Sequence, residues 1–396
     1  MDVDVVIAEV ASAVGLAEGP AGVRDVLRVI AHHEPVAARE VGRLAELPVP
    51  IVAAVCNELR KRGVVDRARP VRLTPAGRAG LALPAAGQPP VSGECPGCGG
   101  TGVAIPAGLA TLAGELELAA AGMPAAKLEL DQTHCTVDTK LRRVLRMHEA
   151  GALAGQRVIV LGDDDLISLA IAAFAALPAA AARPRRLAVV DCDPDLLGYL
   201  RAQAAGGVPV ELIDHDLRQP LPAGLAGAFD VACTDPPYTV AGAELFLSRA
   251  VSALAAGPGS HVFFSFGARR PEETLHVQRL IADLGLTVRS LVPGFNSYTG
   301  AGVLAGVSHL YHLRTTARAR SAITGAHTGP LYTADTRAAA TRPYRCAGCG
   351  AVHQVGPGAR WSTVARLKAD GCPDCGGTVL RPMALSKAGP RPAAGR

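Results

Sequence analysis

The chain has no uninterrupted apolar run of the roughly 18 residues that a membrane span requires. Its best candidate, Leu166 to Ala182, is broken by Pro178 and reads instead as the first helix of a nucleotide-binding fold. No membrane partner is expected. The sequence also lacks the basic start of a signal peptide, since it opens Met1-Asp-Val-Asp, and the expected location is cytoplasmic. Aromatic residues are few, so the 49% hydrophobic share rests mainly on Ala, Val and Leu. The 396 residues leave room for two or three domains with a full core.

The net charge of +5 is unevenly placed. Residues 151–315 carry slightly more acids than bases, whereas residues 316–396 are strongly basic. An enzyme of nucleic acid carries its basic surface around the active cleft. Basicity confined to a tail is weak support for that class, and nucleic acid is not the favoured partner.

Ten cysteines in a chain expected to be cytoplasmic are not expected to form disulfides. Six of them fall in three Cys-x-x-Cys pairs. Cys346/Cys349 and Cys372/Cys375 flank residues 350–371, the spacing of a zinc ribbon. Four thiolates leave no open position, so a Zn2+ held there is structural, with His353 a weaker substitute ligand. The third knuckle, Cys95-Pro-Gly-Cys98-Gly-Gly-Thr-Gly, supplies two ligands and lacks a local partner pair. It either meets another knuckle in space or remains a pair of thiols. Cys56, Cys135, Cys192 and Cys233 stand singly among apolar residues and read as small core side chains.

Residues 1–80 show three short helices (Arg24–His33, Ala37–Ala45 and Ile51–Arg62) followed by a hairpin, the pattern of a winged helix-turn-helix. Arg60, Lys61 and Arg62 at the end of the third helix could touch DNA. The alternative, preferred here, is a module that builds a homodimer. Residues 81–150 hold a Pro/Gly/Ala linker, the first knuckle, a helix over 105–121, and the polar stretch Asp131–Thr139. That stretch reads as a lid or entry segment leading into a helix over 140–150. From 151 to 315, strands alternate with helical spacers, which means a doubly wound parallel sheet. The last two strands have no helix between them and suggest an antiparallel edge hairpin. The fold class is therefore α/β, a Rossmann-like sheet of methyltransferase type with an N-terminal winged helix and a C-terminal zinc ribbon (316–383). Residues 384–396 read as a disordered tail.

The first strand of that sheet runs Val158-Ile-Val-Leu into Gly162-Asp-Asp-Asp165. A pyrophosphate-binding loop needs several glycines here, and three carboxylates would repel the phosphates. The loop suits a cation, either a sulfonium or an amine. Strand two ends in Asp191-Cys-Asp193, where an acid pairs with ribose hydroxyls. Strand three ends in Asp214-His-Asp216-Leu217, placed to meet an adenine amino group, and strand four in Thr234-Asp-Pro-Pro-Tyr238. Ligands of such sheets lie at the carboxyl ends of the strands. Any one of these acids could be a helix N-cap, Asp165 and Asp193 above all. Four acidic strand ends in order describe a cleft.

These motifs, with His215-Asp-Leu-Arg-Gln-Pro-Leu-Pro222 and Phe295-Asn-Ser-Tyr298, resemble the branched-chain polyamine synthase family, the bis(aminopropyl)spermidine synthases of thermophiles. The resemblance covers roughly residues 20–80 and 130–315. It implies aminopropyl transfer from decarboxylated S-adenosylmethionine to a small-molecule amine, leaving methylthioadenosine. Carried over by motif, Asp163, Asp164 and Asp165 hold the amine and aminopropyl ends, one of them acting as base, and Asp235 serves the acceptor. Gly162, Asp191, Asp193, Asp216, Leu217 and Pro236 would surround the donor. Pro237, Tyr238, Glu244, Asn296 and Tyr298 would line the acceptor side. Two departures stand out: Tyr238 occupies the place of the usual Glu in Asp-Pro-Pro-Glu, and the zinc ribbon is an addition. The rival reading is an amino-group methyltransferase using S-adenosylmethionine, in which Asp-Pro-Pro-Tyr binds an exocyclic amine and the Tyr stacks on a flipped base.

Overall fold

The structure is a computed structural model that describes residues 2–81, 95, 97–178, 180–203, 208–299, 306–333, 335, 342–355, 359–361 and 364–383. The expected linker at 82–94 and the expected tail at 384–396 lie outside the described residues. The chain divides into two units, Met1–Thr328 and Gly329–Arg396.

The first unit opens with five helices: α1 (Val3–Val14), α2 (Gly19–His33), α3 (Ala38–Leu44), α4 (Val49–Lys61) and α5 (Pro75–Gly80). Apolar stripes on α1, α2 and α4 close a small core around Ile7, Val26, Ile30, Val52, Val55 and Leu59. Isolated bridges Val65↔Leu73 and Val36↔Val71 follow α4. The sequence reading missed α1, which Asp2 caps by accepting from the amides of Asp4 and Val5. The bases at the end of α4 are engaged locally: Lys61 with Glu58, Arg62 with Glu58 and Glu9, and Arg60 with Asn57 and the Asp66 carbonyl.

Helices α6 (Ala110–Ala121) and α7 (Val137–Glu149) lead into the sheet. Its strands are β1 (Arg157–Leu161), β2 (Arg186–Asp191), β3 (Glu211–Asp214), β4 (Val231–Thr234), β5 (His261–Phe266), β6 (Leu286–Ser297) and β7 (Val307–Thr315). They lie in the order β3-β2-β1-β4-β5-β7-β6. The first five pair in parallel, and β7 is antiparallel to both neighbours. This is the expected Rossmann-like sheet with its antiparallel edge hairpin. Strands β1 and β4 lie in the middle of the sheet and are almost wholly buried, and β1 is the near-continuous Val, Ile and Leu run that a parallel sheet covered on both faces requires. Helices α8 (Ile167–Ala176), α9 (Pro194–Gln203), α10 (Val240–Ala253) and α11 (Pro271–Asp283) follow strands β1, β2, β4 and β5.

One strand runs on through a proline. Pro293-Gly294 looks like a stop, yet β6 continues to Ser297 through an irregularity between Val292 and Asn296. An edge strand tolerates proline and a bulge. The extra length carries Asn296 and Tyr298 to the carboxyl ends of the parallel strands.

The second unit holds β8 (Arg342–Cys346), β9 (Val352–Val355), α12 (Val364–Asp370) and β10 (Leu380–Pro382), with the sheet order β10-β8-β9. Among the described residues no single helix is long and apolar enough to cross a membrane.

Candidate active site

The three aspartates after β1 have separate surroundings. Gly162 takes φ 75° and turns the chain off the strand. Asp163 points back at α8: its carboxylate accepts from the amides of Ile167 and Ser168 and from the Ser168 hydroxyl. The sequence points to Asp165 as a candidate for this cap of α8, and Asp163 fills the role. Burial pushes its carboxyl up to about 7. Asp165 is buried and accepts from the Cys135 amide at 2.6 Å and from Arg143 Nη1 at 2.6 Å. Burial opposes its charge, but Arg143 and Lys140 together hold the carboxyl below its ordinary value. Asp164 is half-buried, and one oxygen accepts from the Thr133 amide at 2.9 Å. Its other oxygen has no partner among the described residues, and no cation pairs with it. Burial first, then the charges of Asp165 and Asp235, push its carboxyl well above the usual range.

Arg143 is the hub of the cleft, and sequence reasoning missed it. From α7 it donates Nε to Asn296 Oδ1 at 2.7 Å, Nη1 to Asp165, and Nη2 to Asp235 Oδ2 at 2.8 Å and to the Tyr298 hydroxyl at 3.0 Å. Lys140, one turn earlier, is fully buried and donates to the Cys135 carbonyl at 2.7 Å. A signal for both was present in the sequence. Lys140, Arg143, Val144 and Met147 follow the i, i+3, i+4, i+7 spacing of one helix face, so two cations sit on the apolar side of α7.

Asp235, at the end of β4, also accepts from Tyr298 at 2.5 Å. Burial raises its carboxyl to about 6, against the pull of Arg143. The Tyr238 hydroxyl donates to Tyr298 at 2.7 Å, and its ring meets Phe266 edge-on at 5.4 Å. Gly242 locks this corner, because a Cβ there would lie 2.3 Å from the Pro237 carbonyl oxygen. Asn296 is fully buried, holding Arg143 with its oxygen and Ser308 with its nitrogen. It positions the arginine and has no exposed face for a substrate. Glu244 is half-buried on α10 and makes no hydrogen bond or ion pair among the described residues. Pro236 and Pro237 are buried. A narrow cavity lies below Arg143, between Gly162, Asp165, Thr234, Asp235 and Phe263.

At β2, Asp191 accepts from the amides of Asp163 and Asp193, and burial raises its carboxyl. Asp193 is fully taken up. It accepts from Lys127 at 2.6 Å, from Gln132 at 2.9 Å and from the amides of Asp195 and Leu196 in the first turn of α9. Asp216 is paired with Arg218 at 2.7 Å, and the buried Leu217 gives its carbonyl to Arg249. The segment 132–136 closes over the β1 loop. Thr136 donates to the Ser297 carbonyl at 2.8 Å, and Cys135 bridges Tyr298.

In the second unit the sulfurs of Cys346, Cys349, Cys372 and Cys375 lie within 4.8 Å of one another, with Cys346 to Cys375 at 3.6 Å and Cys349 to Cys372 at 3.5 Å. Those distances fit a tetrahedral ion with metal–sulfur bonds of about 2.3 Å. Gly377 leaves the room, since a Cβ there would stand 3.2 Å from the Cys346 sulfur. His353 Nε2 is 3.1 Å from the Cys372 sulfur, beside the four thiols and outside their set.

The family described as branched-chain polyamine synthase A C-terminal domain matches residues 113–322. An N(4)-bis(aminopropyl)spermidine synthase of Thermus thermophilus is 34% identical, over 75% of this chain and 82% of that one. The chain belongs to the branched-chain polyamine synthase family. An uncharacterised protein of Methanocaldococcus jannaschii is 32% identical over 89% of this chain and 87% of its own length. The crystal structure of the branched-chain polyamine synthase from Thermus thermophilus, in complex with N4-aminopropylspermidine and 5'-methylthioadenosine, matches with a TM-score of 0.67 and 26% identity. The match covers 83% of this chain and 98% of that one. The polyamine synthase resemblance read from the motifs is thus shown, and with it the transferase class.

Proposed function

We propose that the protein transfers an aminopropyl group from decarboxylated S-adenosylmethionine to a polyamine-type amine and releases methylthioadenosine. The observation that carries this reading is Asp164, a half-buried carboxylate that among the described residues has a free oxygen and no cation beside it, at the carboxyl end of β1. The Thermus relative, bound to a branched polyamine and methylthioadenosine, supports it.

In this reading the acceptor amine attacks as the neutral base. Its lone pair forms the nitrogen–carbon bond while the carbon–sulfur bond breaks and the electron pair stays on sulfur. Asp164 takes the proton that the new ammonium loses, a role its raised affinity for a proton suits. The sulfonium is already a good leaving group, so most of the rate comes from positioning. Asp191 is left for the ribose and Asp216 for the adenine. Asp235, Tyr238 and Glu244 are assigned to the acceptor side. Asp163, Asp165, Asp193 and Asn296 are assigned to holding the scaffold.

The methyl-transfer alternative needs Tyr238 as an open stacking platform. Its hydroxyl bond to Tyr298 and its edge contact with Phe266 speak against that. The deciding experiment offers each donor with a triamine acceptor and identifies the nucleoside product by mass. Methylthioadenosine from the decarboxylated donor supports the proposal, and S-adenosylhomocysteine from the intact donor refutes it.

Three further assignments belong to this reading: a cytoplasmic enzyme, a winged helix over residues 1–80 that builds a homodimer, and zinc as the ion of the four-cysteine cluster. Lys61 and Arg62 at the end of α4 are already paired with local acids, which favours assembly over DNA binding. Four thiolates with no fifth position suit zinc in a structural role.

A further inference from the structure

The chain contains three Cys-x-x-Cys turns, and all three fold alike. In the two turns of the four-cysteine cluster, the amide of Gly350 donates to the Cys346 carbonyl at 3.0 Å and that of Gly376 to the Cys372 carbonyl at 2.7 Å. In the third turn Gly99 donates to the Cys95 carbonyl at 2.8 Å. The Cys98 amide reaches the same carbonyl at 3.2 Å, as the Cys375 amide reaches Cys372 at 3.3 Å. The Cys95 sulfur accepts from the amides of Gly97 and Cys98, just as the Cys346 sulfur accepts from Gly348 and Cys349. Amides aimed at a sulfur stabilise the thiolate, the form that binds a metal ion.

This third turn is firmly seated. Thr101 and Val103 are buried behind it, and the Thr101 hydroxyl donates to the Cys98 carbonyl at 2.7 Å. Gly99, Gly100 and Gly102 take φ of 54°, 82° and 69°, a backbone that favours glycine. Arg146 of α7 lies alongside and ties the turn to that helix, with Nη2 at 3.4 Å from the Thr101 carbonyl. Cys95 itself is exposed and Cys98 half-buried, so the sulfurs are accessible from outside.

One such turn gives two ligands, and a thiolate zinc site takes four. Among the described residues, no third His, Cys, Asp or Glu joins Cys95 and Cys98. The chain has no thiols to spare: of its ten cysteines, four make the cluster, and Cys56, Cys135, Cys192 and Cys233 stand singly. We propose that Cys95 and Cys98 are half of a tetrathiolate metal site, completed by the same two cysteines of a second copy of this chain. One thiophilic divalent ion then ties two chains together. This inference is independent of the reaction proposed above.

The test compares metal content and molar mass of the full-length protein and Cys95→Ser/Cys98→Ser, both purified in zinc. The expected difference is one zinc per two chains, whatever the rest of the chain holds. The variant's dimer should also dissociate at a protein concentration at least tenfold higher than that of the parent. No difference in zinc overturns the proposal. A difference of one zinc per chain does so too, because each knuckle then fills its site without a second copy. Cys98→His, which keeps a zinc ligand, should retain the ion and the assembly. Its failure to do so while folded, judged by circular dichroism, also counts against the proposal. Parent protein that carries an intrachain Cys95–Cys98 disulfide by peptide mapping, and no zinc there, overturns it in favour of a redox pair.

Discussion

Nη1 of Arg143 lies 2.6 Å from Oδ2 of Asp165, and both side chains are buried. On the sequence alone, the acids of the cleft await a cationic ligand. The protein supplies much of that cation itself: Arg143 serves Asp165 and Asp235, Lys127 serves Asp193, and Arg218 serves Asp216. Asp163 is spent on a helix cap. Among the described residues Asp164 and Asp191 are left without a cationic partner, and that selects them for the ligands.

Asp164→Asn should lower turnover by about 10²-fold, the scale of a lost general base, with no loss of melting temperature. The carboxyl is held well above its ordinary value, so it accepts a proton only once the pH has risen past that point. In the parent, kcat/KM should therefore climb with pH through this ionisation, and the variant should lose that limb. A variant with the parent's pH profile would place the base elsewhere.

Arg143→Met should destabilise the first unit by about 3–5 kcal/mol, because it strands two buried carboxylates. The triple variant with Asp165→Asn and Asp235→Asn should recover most of that loss in chemical denaturation. Recovery by neutralising the acids separates stranded charge from lost packing, since the methionine is the same in both proteins.

Asp163 and the pair His261–His312 should bend the stability curve in opposite directions. The folded carboxyl of Asp163 sits at about 7, above the ordinary 3.8. Its contribution is complete below that ordinary value and is lost as the pH rises toward 7. His261 and His312 are buried against each other, with Nδ1 and Nε2 3.0 Å apart, and desolvation lowers both to about 4 from 6.5. Arg314 donates to His261 Nε2 at 2.7 Å, so that nitrogen is an acceptor and the proton of the neutral ring lies on Nδ1, facing His312. Protonating either ring breaks this arrangement, and stability falls as the pH drops from 6.5 toward 4. Melting temperatures across that range should decline on the acid side less steeply in His312→Gln. On the neutral side they should decline less in Asp163→Asn, which keeps an oxygen for the amides of Ile167 and Ser168.

Much of the fold is legible because burial and periodicity leave few choices. β1 and β2 have unbroken apolar interiors, Val158–Leu161 and Leu187–Val190, and helical spacers between strands require parallel pairing. The acidic strand ends are legible for the same reason, since position along a parallel sheet fixes where a ligand can lie. What the sequence hides is direction. Asp163, Asp164 and Asp165 are chemically identical, and only the left-handed turn at Leu166, with φ 53°, decides which one meets the helix. Arg143 is hidden differently: its partners are 22, 92 and 153 residues away in sequence. Tyr298 reaches the site only because β6 passes its proline.

Tyr238→Glu should restore a carboxylate at the place where the family pattern usually has one. A charged hydrogen bond to an ammonium contributes about 1.5–3 kcal/mol, so KM for a triamine should fall by roughly tenfold or more, with a smaller change for a diamine. Tyr238→Phe should leave KM nearly unchanged, because the hydroxyl it removes is turned toward Tyr298. Equal effects of Glu on short and long acceptors would show that residue 238 does not face the acceptor's distal charge.

Trp361 offers a direct view of the four-cysteine cluster. It is the only tryptophan in the chain, it is buried, its Nε1 donates to Asp370 at 2.9 Å, and its ring meets His353 edge-on at 5.5 Å. The core around it comprises Cys346, Val355, Leu367, Cys372 and Leu380, two of which are thiols of the cluster. So small a core does not hold without its ion, as in other small zinc modules. A chelator strong enough to strip zinc should therefore shift the tryptophan emission to the red, and added zinc should restore it. Cys372→Ser/Cys375→Ser should start in the shifted state and lose one zinc per chain. Removal of the zinc with the emission unmoved would mean that this unit folds on its apolar contacts alone.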